Sequence, residues 1–490
     1  MTYPSEADLL AKIPTQLFIN GEWVDGENEP FVVQDPSTGG ELARIANASP
    51  AQATAALDAA VAVKDEWART TPRERGELLR KAYEAVIERR DEFALLMTLE
   101  MGKPLNEAQG EVNYGAEYLR WFSEEAARIT GRYGINPEGT QRMLVSQHPV
   151  GPCFLITPWN FPLAMATRKI APALAAGNTV VVKPASLTPL TTLYFVKILE
   201  ELGVPKGVVN VVTTRDTAGV SNTIMEDDRL RKISFTGSTG VGVGLMKRAA
   251  EKVLRTSMEL GGNAPFVVFE DADMDKAIQG VIDAKFRNIG QACTAANRII
   301  VQESIAEEFT KRVAERVSAF KMGRGTEEGV TIGPLAEAKA VAKVGELVDD
   351  AVAHGAKVIV GGKAGEGEGF FYEATVLTDI APESKIFREE IFGPVLPIIT
   401  FSDEAEAVEL ANSTEFGLMS YVYTNDFNRS QRMIDQIECG MVSINTGLPS
   451  NAAAPFGGVK QSGMGKEGSF EGIHEYMNMK YSAMPNPYSN

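Results

Sequence analysis

Lys232-Ile-Ser-Phe235-Thr-Gly237-Ser238-Thr-Gly-Val-Gly242 runs from a short apolar segment into a glycine-punctuated turn that opens a helix. Glycines there let the backbone approach a phosphate closely, and a helix N-terminus favours an anion. The spacing is not the dinucleotide fingerprint G-x-G-x-x-G, so taken alone the stretch reads equally well as a tight strand-to-helix turn. Repetition of the pattern decides the fold. Cys153-Phe-Leu-Ile, Thr179-Val-Val-Val and Val208-Val-Asn-Val-Val are further β-branched or aromatic runs, separated by helical stretches such as 190–202. This alternation predicts a parallel sheet covered on both faces. A second alternating region spans 297–447, with strands expected at Arg298-Ile-Ile-Val, Lys357-Val-Ile-Val, Leu396-Pro-Ile-Ile, Ser420-Tyr-Val-Tyr and Met441-Val-Ser-Ile. Two α/β domains in one chain invite a cleft between them, where ligands collect.

Outside these regions the signals are local. Leu17-Phe-Ile-Asn-Gly-Glu-Trp-Val-Asp-Gly has hairpin character. Ser49-Pro50-Ala51-Gln52 reads as a capping box with proline in the first turn, and helical patterning continues to about Arg128, with breaks near Thr70-Thr-Pro and Gly102-Lys-Pro104. Ser304-Ile-Ala-Glu307 reads as another capping box, opening a helix to about Phe320. Residues 131–150 are extended but have little apolar alternation of their own. Residues 475–490 are either a frayed tail or an arm docking on a neighbour.

Composition narrows the function. The 490 residues are too many for one ordinary core, and 44% hydrophobic with 23% charged residues is ordinary globular usage. A net charge of −17 argues against nucleic acid or an anionic membrane as partner. No apolar run is long enough for a membrane span. The acidic start resembles neither a secretory nor a transit peptide. Three cysteines are too few for a disulfide framework, which fits a reducing cytoplasm. Three scattered histidines give no metal-ligand spacing, so no metal site is expected.

Six stretches carry candidate chemistry. Lys285-Phe-Arg-Asn-Ile-Gly-Gln-Ala-Cys293-Thr-Ala-Ala-Asn-Arg298 flanks a cysteine with small or polar residues, which leave its sulfur reachable as a nucleophile. A small buried hydrophobe is the ordinary alternative. Met258-Glu259-Leu-Gly-Gly262-Asn-Ala sets an acid among apolar residues, where a raised pKa suits a general base; a solvated junction residue is the alternative. Pro158-Trp159-Asn160-Phe161-Pro162 fixes an amide side chain between prolines, as a hydrogen-bond donor or as a plain turn. Glu389-Glu390-Ile-Phe392-Gly-Pro394 holds an acid and an aromatic in a similar way. Lys183-Pro-Ala-Ser186 follows a predicted strand, where open α/β sheets bind ligands. The Gly237-Ser238 turn is the sixth.

Together, in this order, these motifs resemble the aldehyde dehydrogenase superfamily. The resemblance runs from Ile19-Asn-Gly-Glu-Trp to Ala454-Pro-Phe-Gly-Gly458. Lys285-Phe-Arg-Asn, Val330-Thr-Ile-Gly-Pro334, Asn445-Thr-Gly and Ser450-Asn resemble the members that oxidise succinic semialdehyde. The resemblance implies a Rossmann-like cofactor domain (1–126 and 148–259), a second α/β catalytic domain (260–460), and a small β oligomerisation element with a C-terminal arm (127–147 and 461–490). It implies that Cys293 attacks the aldehyde to give a thiohemiacetal. Asn160 and the Cys293 N–H stabilise the oxyanion, hydride passes to a nicotinamide, and Glu259 activates the water that hydrolyses the resulting thioester. Trp159 and Gly237 belong to the cofactor cleft. Lys183 and Ser186 hold the adenine ribose, Ser238 the pyrophosphate, and Glu390 with Phe392 the nicotinamide ribose. Arg168, Arg287 and Ser450 grip a substrate carboxylate, a role suited to the planar guanidinium fork. A homodimer or homotetramer is implied.

The chain departs from many relatives at three positions. Ala295 stands where many relatives have a second cysteine, and Gly240 where many have glutamate. Ser186 stands where many NAD-preferring relatives place a glutamate. A carboxylate there repels a 2′-phosphate, whereas serine donates to one, so NADP is expected to be preferred and NAD used as well. The rival readings are a dehydrogenase for another semialdehyde such as glutarate semialdehyde, an enzyme that passes the thioester to coenzyme A, and a catalytically silent binding protein. Glu259 argues against the second, and the retained Cys293, Glu259 and Asn160 argue against the third.

Overall fold

The computed structural model describes residues 3–489. Its first sheet has eight strands in the order Glu22–Val24, Leu17–Ile19, Val209–Val211, Val180–Lys183, Cys153–Ile156, Lys232–Thr236, Arg255–Glu259, Gly463–Met464. The five strands from Val209–Val211 to Arg255–Glu259 are mutually parallel. Cys153–Ile156 comes first of these in the chain. The next two strands are laid to one side of it and the last two to the other. Where the order reverses, a crevice opens beyond the carboxyl ends of Cys153–Ile156 and Lys232–Thr236. Pro158-Trp159-Asn160 leaves the first of those ends and Gly237-Ser238 the second.

A second sheet has seven strands, centred on Ala296–Gln302 and Ala264–Val268, parallel except for the edge strand Lys357–Val360. The two sheets have separate apolar cores, one including Phe154, Ile233 and Met258 and the other including Phe266, Ile299 and Tyr421. A third, three-stranded sheet pairs Met477–Pro485 with Gln141–Pro149, and Gln141–Pro149 with Arg132–Ile135. The tail is therefore a strand, and it covers the segment that had no packing partner within its own stretch. Of residues 461–490, Gly463–Met464 instead closes the eight-stranded sheet, and helix Ser469–His474 packs on helices Leu105–Glu125 and Pro162–Ala175.

Local signals mostly become structure. Ser49 and Gln52 form a reciprocal capping box on Pro50–Arg69, as do Thr71 and Glu74 on Pro72–Glu88. Asn20 and Gly21, at φ 53° and 74°, make the hairpin turn between Leu17–Ile19 and Glu22–Val24. The capping box expected at Ser304 does not form. Helix Glu303–Ser318 has already begun, and the Ser304 hydroxyl donates to Glu270 at 2.8 Å. Strands Arg255–Glu259 and Thr375–Thr378 were not anticipated, so Glu259 ends an inner strand rather than sitting in a junction loop. No helix among the described residues is long and apolar enough to cross a membrane.

Candidate active site

The Lys285–Arg298 stretch is pinned at both ends by buried cations. Lys285 donates to Asn297 Oδ1 at 3.2 Å, and the Arg298 guanidinium donates to the carbonyls of Asn263, Leu410 and Ala411. Helix Met274–Phe286 ends there, and the chain reverses through Asn288 and Ile289, both left-handed at φ 56° and 60°. Cys293 follows and stands half-buried. The loop after Glu259 packs directly behind it, since a Cβ on Gly262 would lie 2.2 Å from the Cys293 carbonyl oxygen. Burial pushes the Cys293 thiol up to about 12, with Arg168 and Arg287 pulling it down and Glu390 and Glu259 pushing it further up. The resting sulfur is therefore protonated near neutral pH, and attack needs a group to take the proton.

Asn160 is buried beside this loop. Its Nδ2 donates to Gln291 O at 3.1 Å, and its Oδ1 has no hydrogen-bond partner among the described residues. The Asn160 carbonyl accepts from Lys103 Nζ at 2.9 Å and from Asn288 Nδ2 at 3.0 Å. Glu111 forms a buried ion pair with Lys103 and accepts the Leu163 and Ala164 N–H groups at 3.0 and 3.2 Å, capping helix Pro162–Ala175. Main chain and side chains thus fix the donor amide from several directions. Among the described residues no acceptor engages the Cys293 N–H, which leaves it free to join Asn160 at a developing oxyanion.

Glu259 is 1% exposed, and among the described residues neither carboxylate oxygen has a hydrogen-bond partner. Burial, then the negative charge of Glu467, holds it well above the usual carboxylate range, while Arg168, Lys169 and Lys466 pull the other way. A desolvated carboxylate of this kind is a strong proton acceptor once ionised. Glu467 itself forms buried ion pairs with Arg168 and Lys169. The latter also donates to Ser234 at 3.0 Å.

Two cavities flank this centre. One, of about 390 Å3, lies over the crevice of the eight-stranded sheet and is lined by Trp159, Asn160, Gly237, Ser238, Cys293, Glu390 and Phe392, among others. Its features fit a dinucleotide. Ser238 N-caps helix Thr239–Glu251, and its exposed hydroxyl makes no cap hydrogen bond. Gly237 has no room for a Cβ, which would lie 2.5 Å from the Phe235 ring, whereas Gly240 faces open space. Glu390 accepts the Gly262 N–H at 3.1 Å, and burial pushes it up to about 7. Phe392, at φ 52°, packs edge-on to Trp159 at 5.4 Å. Lys183, at the end of its strand, is forced down to about 8 by burial and has no carboxylate partner among the described residues. Ser186 lies half-buried just beyond it, and neither residue lines this cavity.

The other cavity, of about 500 Å3, opens on the far side of Asn160: the next residue, Phe161, lines it with Lys103, Glu107, Tyr114, Arg287 and Ser450. Lys103 is neutralised by Glu111, whereas among the described residues Arg287 forms no ion pair; its guanidinium lies 5.5 Å from the Phe161 ring, with Glu107 and Asp283 of the same cavity within electrostatic reach. Arg287 and Ser450 therefore share a cavity, and Arg168 is not brought to it. The Arg168 guanidinium is 1% exposed, paired with Glu467 and stacked at 4.3 Å on Phe456. Phe456 in turn lines a small recess with Thr294 and Ser450.

Sequence reading missed Lys103, Glu107, Glu111, Lys169 and Glu467. Gly102-Lys-Pro104 was read only as a helix break, and Glu467 sits in a stretch with no distinguishing pattern. Among the described residues no group of three or more His, Cys, Asp or Glu side chains is placed to hold a metal.

Known proteins share this architecture. The pattern described as the aldehyde dehydrogenase family matches residues 23–482. A succinate-semialdehyde dehydrogenase of Paenarthrobacter nicotinovorans is 57% identical over 449 residues, 92% of this chain and 100% of that protein. A glutarate-semialdehyde dehydrogenase of Pseudomonas putida is 47% identical over 468 residues, 95% and 97% of the two chains. A crystal structure described as an E. coli NADP-dependent enzyme superposes with a TM-score of 0.96 at 45% identity, covering 98% of this chain and 99% of that one.

Proposed function

From the premise that the chain belongs to the aldehyde dehydrogenase family, we propose that it oxidises a short aldehyde bearing a carboxylate, succinic semialdehyde before glutarate semialdehyde, with NADP preferred over NAD. The observation that carries the substrate class is Arg287: a cation that forms no ion pair among the described residues, sharing a cavity with Ser450 beside Asn160. The relative at 57% identity favours the four-carbon substrate, and the glutarate relative makes the five-carbon one the rival.

The Cys293 thiol gives its proton to solvent water as Sγ bonds to the aldehyde carbon, and the carbonyl oxygen gains charge. Asn160 Nδ2, now on Gln291 O, turns with the Cys293 N–H toward that oxygen. The chemistry a dinucleotide supplies when bound in the neighbouring cleft is hydride acceptance. Ser238 and the N-terminus of its helix would hold the pyrophosphate, Lys183 and Ser186 the adenine ribose with any 2′-phosphate, and Glu390 with Phe392 the nicotinamide ribose. Glu259, buried and without a hydrogen-bond partner, takes the proton of the water that hydrolyses the acyl group from Sγ. Arg287 and Ser450 anchor the substrate's acid group at the other end. Arg168 acts through Glu467, fixing the charge that bears on Glu259.

A second copy of the chain is the proposed partner of the three-stranded sheet, which exposes Tyr133, Ile135, Leu144, Met479 and Tyr481. The cytoplasm is the proposed location. A panel of semialdehydes and uncharged aldehydes, each run with NADP and with NAD, tests the assignment. Succinic semialdehyde with NADP should give the highest kcat/KM. A flat profile across charged and uncharged aldehydes, or strong discrimination for NAD, would overturn it.

A further inference from the structure

The turn that follows Arg287 is strained and braced. Asn288 and Ile289 are consecutive left-handed residues without a glycine, and a β-branched side chain resists that conformation. Surrounding contacts hold it. Glu107, on helix Leu105–Glu125, accepts the Asn288 N–H at 2.6 Å. The Asn288 Nδ2 donates to Asn160 O at 3.0 Å and to Gln291 O at 2.8 Å. Gly290 lies against Gly393, where a Cβ would come 2.2 Å from the carbonyl oxygen.

Glu107 is the one brace that comes from the wall of the Arg287 cavity, and it is contributed by a distant helix. Three acids, Glu107, Glu111 and Asp283, line a cavity proposed to bind carboxylates; Glu111 is paired with Lys103 and Asp283 accepts from Gln279 at 2.8 Å, whereas Glu107 engages the Asn288 N–H. We propose that Glu107 is a positioning residue: by accepting the Asn288 N–H it holds the left-handed turn that aims Arg287 into the cavity, and so sets KM for an aldehyde carrying an acid group. The KM consequence rests on the substrate reading above; the bracing of the turn does not. Burial pushes Glu107 up to about 7, against the pull of the Asn288 N–H, Lys103 and Arg287 and with Asp283 adding to the rise. Near neutrality the residue is therefore only partly charged, which suits an acceptor whose reach matters more than its charge.

Two variants separate reach from charge. Glu107→Gln keeps the reach and an acceptor oxygen, and Glu107→Asp keeps the charge but falls short of Asn288. Each is measured against the wild type in two ways: amide hydrogen exchange of the peptide spanning 286–293, and steady-state kinetics on succinic semialdehyde and butanal. The expected result is faster exchange in Glu107→Asp only. KM for the semialdehyde should rise about tenfold in that variant, with kcat and the butanal KM little changed, and Glu107→Gln should stay within about twofold of wild type. Unchanged exchange in Glu107→Asp would overturn the proposal, as would a Gln variant worse than the Asp variant, or equal KM losses on both aldehydes. Arg287→Ala, run alongside, isolates the substrate reading. If that variant treats the two aldehydes alike, the carboxylate assignment and the KM consequence fall together, and the exchange data still decide whether Glu107 braces the turn.

Discussion

The two cavities on either side of Asn160 and Phe161 are built on different principles. The cleft proposed for the dinucleotide is made by topology: its lining residues Trp159, Asn160, Gly237 and Ser238 leave the carboxyl ends of adjacent parallel strands, next to a helix N-terminus. The substrate-side cavity is made by side chains from distant segments, with Lys103 and Glu107 near one helix, Arg287 in a strained turn and Ser450 in a late loop. Backbone groups make the first cleft tolerant of side-chain changes. Charge placement is the proposed source of selectivity in the second.

Between them stands the chemistry, and breaking it gives the largest effects. Cys293→Ala should lower dehydrogenase turnover by a factor on the order of 10^4 or more while retaining cofactor binding, checked by steady-state rate and by cofactor titration. Turnover near the wild-type rate would remove the nucleophile. Glu259→Gln should slow steady turnover roughly 10^2–10^4-fold and leave a first-turnover burst of reduced cofactor in stopped flow. Loss of the burst along with steady turnover would place Glu259 before hydrolysis.

Two further variants sharpen the contrast. Arg168 pairs with buried Glu467 and is absent from the substrate-side lining, so Arg168→Ala should leave Glu467 with Lys169 as its remaining cation and cost about 1–3 kcal/mol of stability in urea unfolding. It should also depress oxidation of charged and uncharged aldehydes alike. A selective loss on the charged one would return Arg168 to the substrate site. The smallest effect belongs to the cleft made by topology. Ser186→Glu should move the NADP-to-NAD ratio of kcat/KM about tenfold toward NAD, the size of a like-charge repulsion of about 1.4 kcal/mol. No change in that ratio would remove Ser186 from the 2′-phosphate side.

The same difference governs what the sequence reveals. The cleft is legible because a strand, a glycine turn and a helix are contiguous, and short β-branched or aromatic runs mark the parallel strands that carry them. Cys293, Glu259 and Asn160 stand out through their small, apolar or proline-bounded neighbours. The substrate side is legible only through resemblance. Nothing near Glu107 announces that its carboxylate meets Asn288, more than a hundred residues later. Arg168 shows the limit in the other direction. The resemblance implies a substrate contact for it, but its guanidinium is paired with Glu467, whose approach depends on how the chain returns after the last strand of the eight-stranded sheet.

The most direct test of the two-cavity arrangement is the ratio of kcat/KM for succinic semialdehyde to that for butanal, measured in the wild type and in Arg287→Ala. The wild-type ratio should be high. It should fall roughly ten- to a hundredfold in the variant, the worth of a partly desolvated charge-assisted contact of about 1.5–3 kcal/mol, with butanal oxidation nearly unchanged. An unchanged ratio, with both aldehydes equally slowed, would show that Arg287 supports the turn and not the substrate's acid group.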